Sequence, residues 1–318
     1  MDRFALVFPG QGSQYVGMGS SLAELSPVAA DVFRTADDAL GESISQLCFS
    51  GPADGLDQTV NAQPAILATS IAYLRALREA SGETEAPVFF AGHSMGQYSA
   101  MVAAGVLNLG DAIRLVRERG RQMQQSAADG AMAAVIGLPD ERVAELVSFA
   151  QASGTFTIAN RNSPGQIVVS GDRRAVERAA EVARELGAKR ALLLPVSVAA
   201  HSPLMSRAAD GMRGIVATVT FNDPAAPLLA NADGRPLTTA AECRAELVEH
   251  LTRGVDWVTA VERMRAAGVT RFVEVGPGRV LTGLIKRIVP EADAVALDDP
   301  AAAGRLAVPR LIQAASPA

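Results

Sequence analysis

The apolar positions of the chain fall into short unbroken runs separated by stretches with helical spacing, the pattern of a mainly parallel sheet covered by helices. Phe4 to Phe8 is one such run. It stops at Pro9-Gly10, as a buried strand stops at the carboxyl edge of a sheet. Gln63 to Leu77 reads as a largely apolar helix. Pro87 to Ala91 reads as a second buried strand, running directly into Gly92-His93-Ser94-Met95-Gly96 and a helical stretch from Ser99 to Val106. Another helix is expected after Gly110.

Beyond Gly130 the units shorten. A strand is expected at Ala131–Ile136, a helix at Arg142–Phe149 and strands at Thr155–Ala159 and Ile167–Ser170. A helix at Arg174–Leu186 and a strand at Arg190–Val198 complete a βαββαβ order. That order predicts a ferredoxin-like small subdomain over residues 128–196, inserted into a large α/β subdomain made of 1–127 and 197–318. Phe272–Val275 is a further strand, leading into Gly276-Pro277-Gly278 and a last helix from Val280 to Arg287. No internal repeat is visible, and the Ala- and Pro-rich tail beyond Asp298 is expected to be poorly ordered.

Composition narrows the function classes. With 318 residues, 49% of them hydrophobic and 20% charged, the chain can bury one large core without a disulfide or a metal. A net charge of −5 argues against nucleic-acid binding, because no basic surplus exists to neutralise phosphates. Cys48 and Cys243 lie far apart, in no Cys-x-x-Cys or Cys/His pattern, which suits unpaired thiols in a reducing compartment and offers no metal site. The first apolar run is too short for a signal peptide and no run approaches membrane-spanning length, so a cytoplasmic protein without membrane attachment is expected.

Gly92-His93-Ser94-Met95-Gly96 has the Gly-x-Ser-x-Gly form of a nucleophile elbow, set between a strand and a helix. Such a turn lifts the serine oxygen above the sheet and aims the next backbone N–H, that of Met95, at an oxyanion. The serine needs a base, and the chain has three histidines. His93 adjoins the serine on the turn, poorly placed to reach its oxygen; His250 falls in the helical stretch Ala245–Thr252 and reads as partly solvated or capping. His201, directly after the apolar strand Ala191–Val198, is therefore assigned as the base.

In the helix after Gly110, Ala112, Leu115, Val116 and Met123 form an apolar stripe that also carries Arg119, while Arg114, Arg117, Glu118 and Arg121 take the other faces. An arginine in a buried stripe needs an anionic partner. An internal acid and a substrate carboxylate are equally open. Gly10-Gln11-Gly12-Ser13-Gln14 follows the first strand without the third glycine of a dinucleotide loop or the Lys-Ser/Thr of a P-loop; it could bring a Gln11 donor to the mouth of the sheet.

In order, Phe8-Pro9-Gly10-Gln11-Gly12-Ser13-Gln14, Gly92-His93-Ser94-Met95-Gly96, Arg119-Gly120, Asn162-Ser163-Pro164-Gly165-Gln166, Pro195 to His201 and Glu274-Val275-Gly276-Pro277-Gly278 closely resemble malonyl-CoA:acyl carrier protein transacylases. Discrete acyltransferases of polyketide synthases are similar. The resemblance implies Ser94 as nucleophile, His201 as base, Arg119 as clamp on a malonyl carboxylate, and Gln11 with the Met95 N–H as oxyanion donors. It further implies a hydrolase-like α/β core, a gorge between core and small subdomain, and a monomer without bound cofactor. A coenzyme A thioester would be the substrate and an acyl carrier protein the partner.

Three positions depart from the family pattern: Gln97 where Glu is common, His250 where Gln presents a backbone carbonyl to the catalytic histidine, and Val198-Ala199-Ala200, whose small Ala200 leaves room for an α-substituent. Lys189-Arg190 and Lys286-Arg287 are basic pairs, open to reading as solvated charge or as a carrier-protein dock. The rival functions are a serine thioesterase or esterase, which has no need of Arg119, and a carrier-protein-binding subunit, which would lack nucleophile or base.

Overall fold

The computed structural model describes residues 3–81, 86–126, 129–196 and 198–298. The tail beyond Asp298 and the expected subdomain junctions at 127–128 and 197 lie outside these residues. The strands, in chain order, are β1 (Phe4–Phe8), β2 (Phe89–Gly92), β3 (Gly130–Ile136), β4 (Phe156–Ser163), β5 (Gln166–Asp172) and β6 (Arg190–Leu193). They continue with β7 (Leu228–Leu229), β8 (Pro236–Leu237), β9 (Val255–Asp256), β10 (Arg271–Val275) and β11 (Asp293–Leu297).

One sheet runs β11-β10-β1-β2-β7-β8 and is parallel except for the last pair. Its central strand shows why the first apolar run is unbroken. Phe4, Leu6 and Phe8 enter a core shared with helices Thr59–Ser81 and Leu109–Ser126, whereas Ala5 and Val7 enter a second core against Trp257–Ala266 and Val280–Ile288. Both faces are covered, so both phases of the strand must be apolar.

The other sheet runs β6-β3-β5-β4-β9, and its first four strands have the antiparallel order of a split βαβ unit. Ala131, Ala133 and Val135 face helices Val143–Gln151 and Arg173–Glu185. Met132 and Val168 point the other way and join the large core. The small sheet is thus packed onto the large one, and β9 pairs with β4 to extend it by a strand from later in the chain.

Three expectations change. β6 ends at Leu193, not Val198: Leu194 still donates to the Met132 carbonyl (2.9 Å), but Val196, whose N–H would be the next to face β3, donates back to the Leu194 carbonyl (2.8 Å) and the ladder stops. His201 therefore follows an irregular connection rather than a strand end. The helix expected at Ala245–Thr252 spans Ala240–Glu249, opened by a Thr239–Glu242 capping box, and of the two readings of His250, partly solvated or capping, the second holds: it is buried as the helix C-cap. Arg117, read as lying off the apolar stripe on another face, is nonetheless buried and held by Asn61 (2.6 Å) and Glu42 (3.0 Å).

Candidate active site

Strand β2 delivers the chain into a turn so tight that neither glycine could carry a side chain. A Cβ on Gly92 would lie 2.1 Å from the Gly96 backbone, and one on Gly96 would lie 2.2 Å from the Phe8 carbonyl. Close approach fixes these glycines; Ser94 itself takes the left-handed conformation, with φ of 53°. Asn231, at the end of β7, holds that conformation from both sides. Its Oδ1 accepts the Ser94 N–H (2.8 Å), its Nδ2 donates to the Gly92 carbonyl (3.0 Å), and its own N–H donates to Glu246 Oε1 (2.7 Å). Burial pushes the Glu246 carboxyl up to about 7.

Gln97 begins the helix Gly96–Ala103 and spans two backbone groups, accepting the Gly92 N–H (3.1 Å) and donating to the Leu229 carbonyl (3.0 Å). An ionised carboxylate could do only the first. The departure from the family's Glu is therefore satisfied locally.

His201 also has a positive φ, 58°, and its Nε2 lies 2.7 Å from Ser94 Oγ. Its Nδ1 faces two carbonyls, those of His250 (2.7 Å) and Arg253 (3.0 Å). Two acceptors at Nδ1 place the proton there, so Nε2 is left to accept the Ser94 hydroxyl. Burial, then the nearby Arg119 charge, push His201 down to about 4, which keeps the imidazole neutral near pH 7. The Met95 N–H finds no acceptor among the described residues and is free for a ligand.

Arg119 is 2% exposed. Its Nη1 donates to Gln63 Oε1 (2.8 Å) and its Nη2 to Ser94 Oγ (3.2 Å), and no carboxylate among the described residues pairs with it. Burial accordingly lowers its pKa. Gln11 is exposed and donates from Nε2 to Thr59 Oγ1 (3.1 Å) rather than to the elbow. Its loop still abuts the turn, because a Cβ on Gly10 would lie 2.5 Å from the His93 carbonyl.

His93 turns away from the serine oxygen, its Nε2 donating to Asn162 Oδ1 (2.9 Å) on β4, so it ties the elbow to the small sheet. Val198, Ala199 and Ala200 are buried beside His201. Lys189, Arg190, Lys286 and Arg287 are exposed. Strand register brings the two pairs to one end of the small sheet: Arg190 and Gln166 flank Ile136, and Arg287 donates to Gln166 Oε1 (2.5 Å).

With that geometry fixed, relatives can be weighed. The acyl transferase domain family matches residues 5–306, and the chain belongs to that family. Within it, the chain is 46% identical over 304 residues to the malonyl CoA-acyl carrier protein transacylase of Escherichia coli (strain K12), covering 95% of this chain and 98% of that one. A crystal structure of an acyl carrier protein S-malonyltransferase from Vibrio cholerae superposes with a TM-score of 0.90 at 45% identity, covering 93% and 97% of the two chains. A malonyl-transacylase solved in complex with a type II polyketide acyl-carrier protein gives 0.91 at 42% identity, covering 95% and 98%.

Sequence reasoning missed Asn231, Glu246 and Gln63, and it named Asn162 only as the first residue of a motif, without a role. Only Asn231 carried a readable signal, a polar residue closing the short apolar run Leu228-Leu229-Ala230.

Proposed function

We propose that this chain is an acyl-carrier-protein S-malonyltransferase, moving malonyl from coenzyme A to the phosphopantetheine thiol of an acyl carrier protein through an acyl-enzyme on Ser94. The carrying observation is Arg119, a buried guanidinium 3.2 Å from Ser94 Oγ with no acid partner among the described residues. A thioesterase has no use for it. A malonyl carboxylate supplies the missing charge, gripped through two parallel hydrogen bonds.

As Ser94 Oγ attacks the thioester carbonyl, His201 Nε2 takes its proton and the oxyanion forms beside the Met95 N–H and the Gln11 backbone. The C–S bond breaks, and the proton passes to the departing thiolate. The carrier thiol then attacks the acyl-serine by the same steps in reverse, giving ping-pong kinetics. In this reading His250 orients His201 through its carbonyl, and no bound cofactor takes part. Ala200 leaves space for an α-substituent, so methylmalonyl-CoA is a candidate second substrate.

Residues 1–127 with 197–318 form the catalytic subdomain in this reading, and 128–196 the small one that closes the gorge. Lys189, Arg190, Lys286 and Arg287, joined through Gln166, form one basic dock for an acidic carrier surface. A reducing, cytoplasmic compartment fits the free, buried Cys48 and Cys243. Intact-mass analysis after brief exposure to malonyl-, methylmalonyl- and acetyl-CoA tests the core of the proposal: the wild type gains a malonyl group and Ser94→Ala does not. Acylation of Ser94→Ala would overturn it.

A further inference from the structure

Tyr98, Arg119 and His250 are each no more than 2% exposed, yet the Tyr98 hydroxyl, Arg119 Nε and both ring nitrogens of His250 have no hydrogen-bond partner among the described residues. These atoms belong to one cluster. The Tyr98 and His250 rings lie 6.1 Å apart, and the His250 ring stands edge-on to His201 at the same spacing. His201 and Arg119 both reach Ser94 Oγ, at 2.7 and 3.2 Å. Folded proteins leave few buried polar atoms unsatisfied, because each forfeits its bonds to water. Several of them on residues that adjoin one another, and that meet the reactive hydroxyl through His201 and Arg119, form a set of donors waiting for a ligand.

We infer that the Tyr98 hydroxyl and the His250 side chain join Arg119 in a polar chamber that receives the free carboxylate of the acyl group. The inference rests on the acyltransferase reading above and extends it, since there His250 acts only through its backbone carbonyl. A carboxylate is an acceptor with about four lone-pair sites, and a phenol O–H, an imidazole N–H and a guanidinium are all donors. The fit is chemical: a carboxylated acyl chain satisfies the chamber, whereas an acetyl methyl group leaves every donor unpaired. Burial and the Arg119 charge hold His250 well below its ordinary pKa, so the imidazole adds a donor without a second buried cation. The stability given up in the free protein is recovered when the matching acyl group binds, which is how binding energy becomes selectivity.

The test pairs thermal melting with single-turnover acylation by malonyl-CoA and acetyl-CoA in the full-length protein. Tyr98→Phe is expected to melt higher, having lost an unpartnered hydroxyl, while its malonyl-to-acetyl rate ratio falls about tenfold. His250→Leu should lower the ratio similarly, and His250→Gln, which keeps a side-chain donor, should restore most of it. An unchanged ratio in Tyr98→Phe and His250→Leu overturns the inference, leaving the atoms idle or water-filled. Equal loss of both rates in His250→Leu and His250→Gln also overturns it, because that pattern marks a displaced backbone carbonyl. Failure of the wild type to acylate with malonyl-CoA would instead defeat the acyltransferase reading beneath it.

Discussion

Replacing Arg119 with Met keeps much of the side-chain volume and removes the charge, which separates a substrate clamp from a structural ion pair. If Arg119 makes two charge-assisted bonds to malonyl, each worth about 1.5–3 kcal/mol, their loss amounts to about 3–6 kcal/mol, or roughly 10²–10⁴-fold in kcat/KM for malonyl-CoA. Acetyl transfer has no such bonds to lose. The stability side is also worked from the structure. Met abandons the 2.8 Å bond to Gln63 Oε1, which leaves a buried acceptor unpaired at a cost of about 1–3 kcal/mol. Against this, burial lowers the Arg119 pKa, so at neutral pH the charged form opposes folding, and the substitution removes that opposition. The two effects offset, and Tm should stay near that of the wild type. Arg119→Lys should restore little malonyl transfer, because an ammonium cannot reproduce the planar fork. Acylation rates for both thioesters beside a thermal melt are the assay. A markedly lowered Tm with parallel loss of malonyl and acetyl transfer would refute the clamp and indicate a structural role.

Four further outcomes are expected. The single-turnover acylation rate should stay level as pH falls past 6.5 and decline only near pH 4, since His201 is held neutral to about 4; an acid limb at 6.5 would contradict this. Glu246→Gln keeps the oxygen that accepts the Asn231 N–H and removes a carboxyl raised to about 7, so by chemical denaturation it should exceed the wild type in stability at pH 8. The advantage should shrink as pH falls through 7 and vanish below about 4.5, where the carboxyl is protonated in both folded and unfolded states. Asn231→Ala should release the Ser94 turn and lower kcat for acylation by about 10- to 100-fold with little change in KM, measured by quench-flow, because a turn held by two bonds of about 1 kcal/mol each loses its geometry. Charge reversal at Lys189 or Lys286 should raise KM for the carrier protein and spare KM for malonyl-CoA; equal effects on both substrates would argue against the dock.

What could be read directly from the chain was whatever is contiguous along it. The unbroken run Phe4–Phe8, the strand-turn-helix around Ser94 and the βαββαβ order from Gly130 all depend on neighbours within a few residues, so period and turn chemistry suffice to reveal them. Arg119 could be seen to lie in an apolar stripe for the same reason. Its partner could not. Only folding brings Gln63 and Ser94 to its guanidinium and keeps acids away, which turned an even choice into a directed one. Asn231 meets Ser94 across 137 residues, and Asn162 meets His93 across 69, distances over which spacing carries no information. The end of β6 needed knowledge that the Val196 N–H turns back to the Leu194 carbonyl instead of crossing to β3, and the burial of His250 needed the packing of its helix against Tyr98 and His201. Local sequence fixes which elements form, because backbone preference and hydrophobic phase act over one or two turns. Charge pairing, protonation and the fate of each buried polar atom are settled by through-space neighbours, and those exist only once the chain has folded.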